Sequence, residues 1–345
     1  MAFNITTAEV QAGDRKGTAY VLADATGCVR AEVWPTHGFN CLRWQVRADG
    51  GPMEDILFTA PDWDQNPVPT RSGHPVLFPF PNRMRAGCFT FQGKEYQLPL
   101  NESSGKHAIH GFTPRIPWRV VDHGCSADSA FVTGEFQISK DAPQAVDYWP
   151  ADARLRLTYR LSAKTLRVEA VVDAADGKDL PFGIGYHPYF RAPGGVEGIA
   201  DWVVTAHAST VWVLEEGLPT GQKIPAPEQL DFQSARSVDG VVLDTLYGTL
   251  SPKKTGNDPL EEVARLEAAA GSTRLVVAVD PVFRELLLFT PAHRKAVAIE
   301  PYTCANDAAN LEANGTDAGW RVLPAGEVFR ASVEYRLEPR NSSAS

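Results

Sequence analysis

Apolar and polar residues alternate with a period of two through much of this chain. In Leu155-Arg156-Leu157-Thr158-Tyr159-Arg160-Leu161 every second residue is apolar or aromatic. Lys164-Thr165 then turns the chain into Leu166–Ala170, which alternates in the same way, as does the terminal run from Phe329 to Glu338. That period puts one set of side chains on a core face and the other in water. Half-wetted strands of this kind belong to antiparallel sheets. Shorter apolar runs come earlier, at Tyr20–Leu22, Val29–Trp34 and Cys41–Val46, and are broken by Gly, Asp, Asn and Pro. The 28 glycines and 26 prolines argue against long helices, because both residues penalise helix interiors. The pattern predicts an all-β protein, one large antiparallel β-sandwich with two sheets face to face, spanning residues 1–345 as a single domain. Residues 1–15 and 341–345 are expected as frayed ends.

One segment competes with this picture. Leu260–Ala270 (LEEVARLEAAA) is made mostly of helix-favouring residues. Gly271-Ser272 and the plain strand Arg274–Val279 follow it, so Val263–Ala270 is read as the first arm of a hairpin, with a helix as the alternative. Ser251–Pro259 is expected as a long surface loop.

Composition narrows the function classes. The apolar fraction of 43% is ordinary for a globular protein, and no run approaches the length a bilayer requires. A net charge of −9 without a basic cluster argues against nucleic-acid or anionic-membrane partners. The opening MAFNITTAEVQAGDRKG has no basic region followed by an apolar core, which predicts no secretion signal. The five cysteines are odd in number, scattered and without CxxC spacing, which predicts reduced thiols in a cytoplasmic protein.

Three stretches concentrate polar groups in apolar or glycine-rich surroundings. In the first, Arg83 follows the apolar run Val76–Phe80, and His110 precedes Gly111. A guanidinium in such a place is costly to bury unless a carboxylate or ligand meets it. In the second, His187 lies within GYHPYFR, where aromatics would fix and desolvate it. In the third, Glu300 ends the apolar strand Ala296–Ile299, where partial burial would raise its pKa toward the range of a general base. The alternatives are a surface arginine, core histidines satisfied by neighbours, and a buried ion pair. His74, His107 and His110 cluster in sequence, but no cysteine or carboxylate sits at ligand spacing beside them, so a metal site is rejected.

These stretches, PVLFPFPNRMRAGCFTFQGKEYQL with IHGF, then GYHPYFR, then AIEPYT before Asn306-Asp307, resemble the aldose 1-epimerase (galactose mutarotase-like) family. Val322–Glu327 before the last strand adds a terminal match, so the likeness spans nearly the whole chain. The resemblance implies a β-supersandwich that binds a free aldohexose and interconverts its α and β anomers, with no metal or organic cofactor. It implies Glu300 as general base at the C1 hydroxyl and His187 as general acid at the ring oxygen. His110, Arg83 and Asp244 would bind the sugar, Asp244 being equally readable as an ordinary turn residue. A carboxylate and an imidazole are the pair that hemiacetal opening needs near neutral pH. Trp118, Tyr186 and Tyr189 are candidates to stack on the sugar, or else core residues.

Gly111-Phe112 stands where the well-known galactose mutarotases carry a glycine pair, so galactose is not implied as the substrate. Two rivals remain open. One is a hexose-6-phosphate 1-epimerase, suggested by HGFTPRIPW, in which Arg85 and Arg115 beside Arg83 would hold a phosphate. The other is a carbohydrate-binding protein without turnover. The expected partner is a small sugar, and monomer and homodimer are both open.

Overall fold

The computed structural model describes residues 2–47, 51–65, 69–195, 197–254 and 258–340. The predicted alternation becomes strands almost wherever it is strong. Ala153–Ser162 and Thr165–Ala174 pair antiparallel, and Phe329–Pro339 adds to the second of them. These strands belong to a ten-stranded sheet, and an eight-stranded sheet lies against it. Leu157, Tyr159, Val168 and Val333 from the first sheet share one apolar core with Leu286, Leu288, Val297 and Ile299 from the second. The expected sandwich is therefore present, with its core between the two sheets.

A third, five-stranded antiparallel sheet runs in chain order from Phe3–Ala12 through Arg15–Asp24, Val29–Trp34 and Asn40–Arg47 to Met53–Asp55. Fraying is thus overturned over Phe3–Ala12. Phe3–Ala12 pairs along its whole length with Arg15–Asp24, and Phe3 and Ala12 are buried. Paired backbone N–H and C=O groups tie a terminus down even where its side chains are mostly wet. The expectation for 341–345 falls outside the described residues.

Glu261–Ala268 is a strand, paired with Thr273–Val279 as the hairpin reading required. Helix propensity lost there because Val263, Leu266 and Ala268 are needed in the core. The expected loop contains the short strand Lys253–Lys254, paired with Glu261 and Glu262. Helices are short among the described residues, Ala308–Ala313 being one.

The eight-stranded sheet positions the candidate site. In Val297–Tyr302, Val297 and Ile299 face the shared core, whereas Ala298, Glu300 and Tyr302 face outward. Period-two geometry makes those two faces mutually exclusive. The same alternation on Glu285–Phe289 sends Leu286 and Leu288 inward and turns Leu287 and Phe289 outward beside Glu300.

Candidate active site

Glu300 lies on the outer face of the sheet, directly opposite Leu287 on the neighbouring strand, and is only 1% exposed. The phenol of Tyr302 donates to its Oε2 at 2.5 Å, while Oε1 has no hydrogen-bond partner. Burial pushes this carboxyl well above the ordinary glutamate range. The Tyr302 hydrogen bond works against that rise and the Asp244 charge adds to it.

His187 is held by its own backbone and by its neighbour. Its N–H donates to the Pro75 carbonyl at 3.0 Å, and Tyr189 N–H donates to Gly73, so the segment is laced to residues 73–75. Its ring stacks on Tyr189 with centroids 4.7 Å apart, and the Tyr189 hydroxyl donates to the Thr70 carbonyl at 2.6 Å. Nδ1 of His187 is 3.4 Å from Oε1 of Glu300, and neither atom has a hydrogen-bond partner of its own. Burial holds the imidazole down at about 3. Both shifts favour the uncharged forms, so burial opposes an ion pair between the two groups.

His110 comes next to them because the backbone makes an unusual turn. Its φ is 63°, its N–H donates to the Asn82 carbonyl at 2.8 Å, and its ring lies 5.7 Å from that of His187. Gly111 follows with φ 65°, and a Cβ there would stand 2.1 Å from the Phe78 carbonyl oxygen. Only glycine allows that approach, so the residue after His110 is dictated by backbone contact. Nδ1 of His110 is buried without a partner. Burial, reinforced by the nearby His187, Arg115 and Arg83, keeps its ring neutral.

Arg83 stands opposite Ile109 in a two-residue antiparallel pair. Its Nε donates to Oε1 of Glu102 at 2.6 Å, and Gly217 packs so tightly beneath it that a Cβ there would be 2.7 Å from the guanidinium. Asp244 opens the strand Asp244–Leu250 opposite Phe289. Its carboxyl lies above the ordinary aspartate value because of the surrounding protein, with Arg83 pulling the other way.

Arg83, His110, His187, Asp244 and Glu300 all line a single open cavity of about 540 Å³. Small-molecule sites commonly measure roughly 300–1,000 Å³. Tyr189 lines the cavity as well, but Trp118 and Tyr186 do not: they are core residues, Trp118 stacked on Phe39 and Tyr186 fully buried. Arg85 and Arg115 also lie outside the cavity lining, and Arg85 is paired with Asp307 at 3.2 Å. His74 is enclosed elsewhere, between the hydroxyls of Tyr159 and Tyr335 at 2.9 and 2.7 Å. Among the described residues, no group of three or more His, Cys, Asp or Glu side chains could hold a metal ion.

The sequence reading missed four contributors. Tyr302 was legible in principle, since residues i and i+2 of a strand share a face. Glu102, Arg71 and His293 come from turns and loops with no periodic signal, and Arg71 and His293 line the cavity.

A buried carboxylate and imidazole with free facing atoms therefore line a cavity on the outer face of a β-sandwich, an arrangement chemically suited to proton transfer. A family model described as aldose 1-epimerase matches residues 28–336, and the chain belongs to that family. The uncharacterised protein YihR of Escherichia coli is 29% identical over 237 residues, 68% of this chain and 71% of the relative. Human galactose mutarotase is 30% identical over 150 residues, which is 42% of this chain and 40% of the relative. Among solved structures, a galactose mutarotase-like protein of Clostridium acetobutylicum superposes with a TM-score of 0.86 at 23% identity, over 98% of this chain and 99% of that one. Galactose 1-epimerase from Lactobacillus acidophilus gives 0.74 at 18% identity, over 98% and 99%. At these identities the structural likenesses establish the fold.

Proposed function

We propose that this protein is an aldose 1-epimerase that interconverts the α and β anomers of an aldohexose by opening and reclosing the ring. The observation that carries the reading is the Glu300–His187 pair, two unpartnered atoms 3.4 Å apart in the lining of a cavity of sugar size. Hydroxyls of an entering sugar supply the hydrogen bonds that a buried ion pair requires, so the pair is held with Glu300 ionised and His187 protonated. Glu300 then takes the proton of the C1 hydroxyl as His187 delivers its proton to O5. The C1–O5 bond breaks with its electron pair going to O5, and the C1–O1 bond becomes a carbonyl. Rotation about C1–C2 presents the other face of the aldehyde, and reversal of both transfers closes the opposite anomer. Each transfer is worth about two to four orders of magnitude in rate.

Arg83, His110 and Asp244 hold ring hydroxyls in this scheme. Arg83 is already matched by Glu102, which suits neutral hydroxyls better than a charge. The positions of Arg85 and Arg115 outside the cavity weigh against the phosphate arrangement built on them. The pair of titratable groups favours turnover over simple binding.

The test is polarimetry of freshly dissolved α-D-glucose and α-D-galactose with wild type and Glu300→Gln. Rotation should decay faster than spontaneously with wild type and at the spontaneous rate with the variant. An active Glu300→Gln enzyme would remove the proposed base.

A further inference from the structure

His74 is fully buried, lies outside the cavity lining, and has no part in the proton transfers above. Its ring is nevertheless bound at both nitrogens. Nδ1 lies 2.9 Å from the Tyr159 hydroxyl and Nε2 lies 2.7 Å from the Tyr335 hydroxyl. The Tyr159 hydroxyl also donates to the His74 carbonyl at 3.1 Å. One placement of hydrogens serves all these groups: Nδ1–H donates to the Tyr159 oxygen, and the Tyr335 hydroxyl donates to Nε2. That is the neutral ring, with one donor and one acceptor. Burial holds the imidazole pKa at about 3, which keeps the ring in this form.

A satisfied network in a core fixes its members in one geometry, because a shift leaves a buried polar atom unpaired. Here the network crosses the sandwich. Tyr159 and Tyr335 belong to Ala153–Ser162 and Phe329–Pro339 of the ten-stranded sheet. His74 leads into Val76–Leu77, at the edge of the eight-stranded sheet. Asn40, buried at the start of Asn40–Arg47 in the five-stranded sheet, completes the hold. Its Oδ1 accepts the His74 N–H at 2.7 Å, and its Nδ2 donates to the Ser72 carbonyl at 2.9 Å.

The candidate acid hangs on this segment. The Pro75 carbonyl accepts the His187 N–H at 3.0 Å, and the Gly73 carbonyl accepts the N–H of Tyr189, whose ring stacks on His187. The His74 ring itself lies 5.0 Å from that of Tyr186. On the other side, Gly185 and Tyr189 pair with Tyr302 and Ala298 of the Glu300 strand. His187 is thus suspended between that strand and residues 73–75. Val76–Leu77 is only two residues long, so its pairing with Gly185 and Tyr186 supplies little hold on the outer side. The His74 side chain provides the anchor there.

We propose that His74, gripped by Tyr159 and Tyr335, is a positioning residue for His187: it fixes residues 73–75 and thereby the aim of the His187 ring. This rests on the aldose 1-epimerase reading above and adds to it a residue that acts through another. Misplacing a reacting group by about 1 Å costs on the order of a hundredfold in rate, so a loosened segment is read directly in turnover.

Tyr335→Phe and Tyr159→Phe each remove one hydroxyl and keep the ring, and each is tested so that one carries the measurement if the other does not fold. With α-D-glucose or α-D-galactose, whichever the wild type converts faster, kcat should fall about tenfold while KM stays within about twofold. Native-state amide exchange read by NMR gives the local effect. Protection of the His187 and Tyr189 amides should fall at least about tenfold further than that of the amides of Thr165–Ala174, the strand between those of Tyr159 and Tyr335. A wild-type kcat in the variants, or protection lost equally in both places, would overturn the proposal, since a merely structural role loosens the whole sandwich. A wild type that accelerates exchange of neither sugar would sink the epimerase reading instead, and the amide protection at His187 and Tyr189 would then decide the clamp by itself.

Discussion

Tyr302 donates its phenolic hydrogen to Oε2 of Glu300 from two residues further along the same strand. Both side chains are buried, and the strand's own pleat brings them to one face. The bond occupies one carboxylate oxygen, leaves the other for chemistry, and opposes the effect of burial on the pKa.

We therefore expect Tyr302→Phe to raise the Glu300 pKa further, since the charged form loses a donor. The limb of the pH–rate profile that reports deprotonation of the base should move to higher pH. At neutral pH, kcat should fall on the order of tenfold. Full pH–rate profiles check this, and an unmoved limb would relieve Tyr302 of any part in tuning Glu300.

Gly111 is the point where backbone meets backbone. An alanine there combines a 2.1 Å approach to the Phe78 oxygen with a φ of 65°. Neither can relax cheaply, because the Phe112 N–H is itself bonded to that same carbonyl at 2.8 Å. Gly111→Ala should cost on the order of 3 kcal/mol and displace His110. Chemical denaturation gives the first quantity. A variant as stable as wild type would show that the turn can open.

Glu285, opposite Tyr302 on the neighbouring strand but outside the cavity lining, offers a pH test of stability. It is fully buried, takes a hydrogen bond from Trp212 Nε1 at 2.8 Å, and has Lys223 Nζ 3.6 Å away. Burial raises its pKa to about 7 against the pull of Lys223. A carboxyl whose folded pKa is raised lends stability that is complete below about 4.5 and is lost as pH climbs through 7. Glu285→Gln keeps an acceptor for Trp212 but cannot ionise. Its stability relative to wild type should therefore improve between pH 4.5 and 8, by roughly 3 kcal/mol at 1.36 kcal/mol per unit. Unfolding curves at both pH values decide it, and a pH-independent difference would refute it.

Much of the fold was legible because strand periodicity survives into the structure. The runs at 155–161, 166–170 and 329–337 became adjacent strands of one sheet, in register with one another. The hairpin expected at Val263–Ala270 is also present, its first strand ending at Ala268, because the turn and the following strand outweigh local helix propensity. The frayed N-terminus was wrong for a reason that side chains do not reveal. Phe3–Ala12 is held through backbone pairing, and its exposed positions mimic a loose end.

The site divides in the same way. Glu300, His187, His110 and Arg83 stood out as polar groups in apolar surroundings, Asp244 came only from the family resemblance, and all five line one cavity. Trp118 and Tyr186 looked equally available to a ligand and went to the core. An aromatic ring carries the same local signature in either place, and only packing distinguishes them.

By itself, then, the sequence determined the strand faces, the sandwich class and the identity of the polar groups set among apolar ones, because period-two burial and the cost of isolated charges are local properties. The tertiary structure alone decided that Glu300 Oε1 and His187 Nδ1 stand 3.4 Å apart and unpartnered. It alone decided that Arg83 is neutralised by Glu102. Those are distances between groups far apart in the chain, and they depend on how strands and loops pack together, which no local pattern encodes.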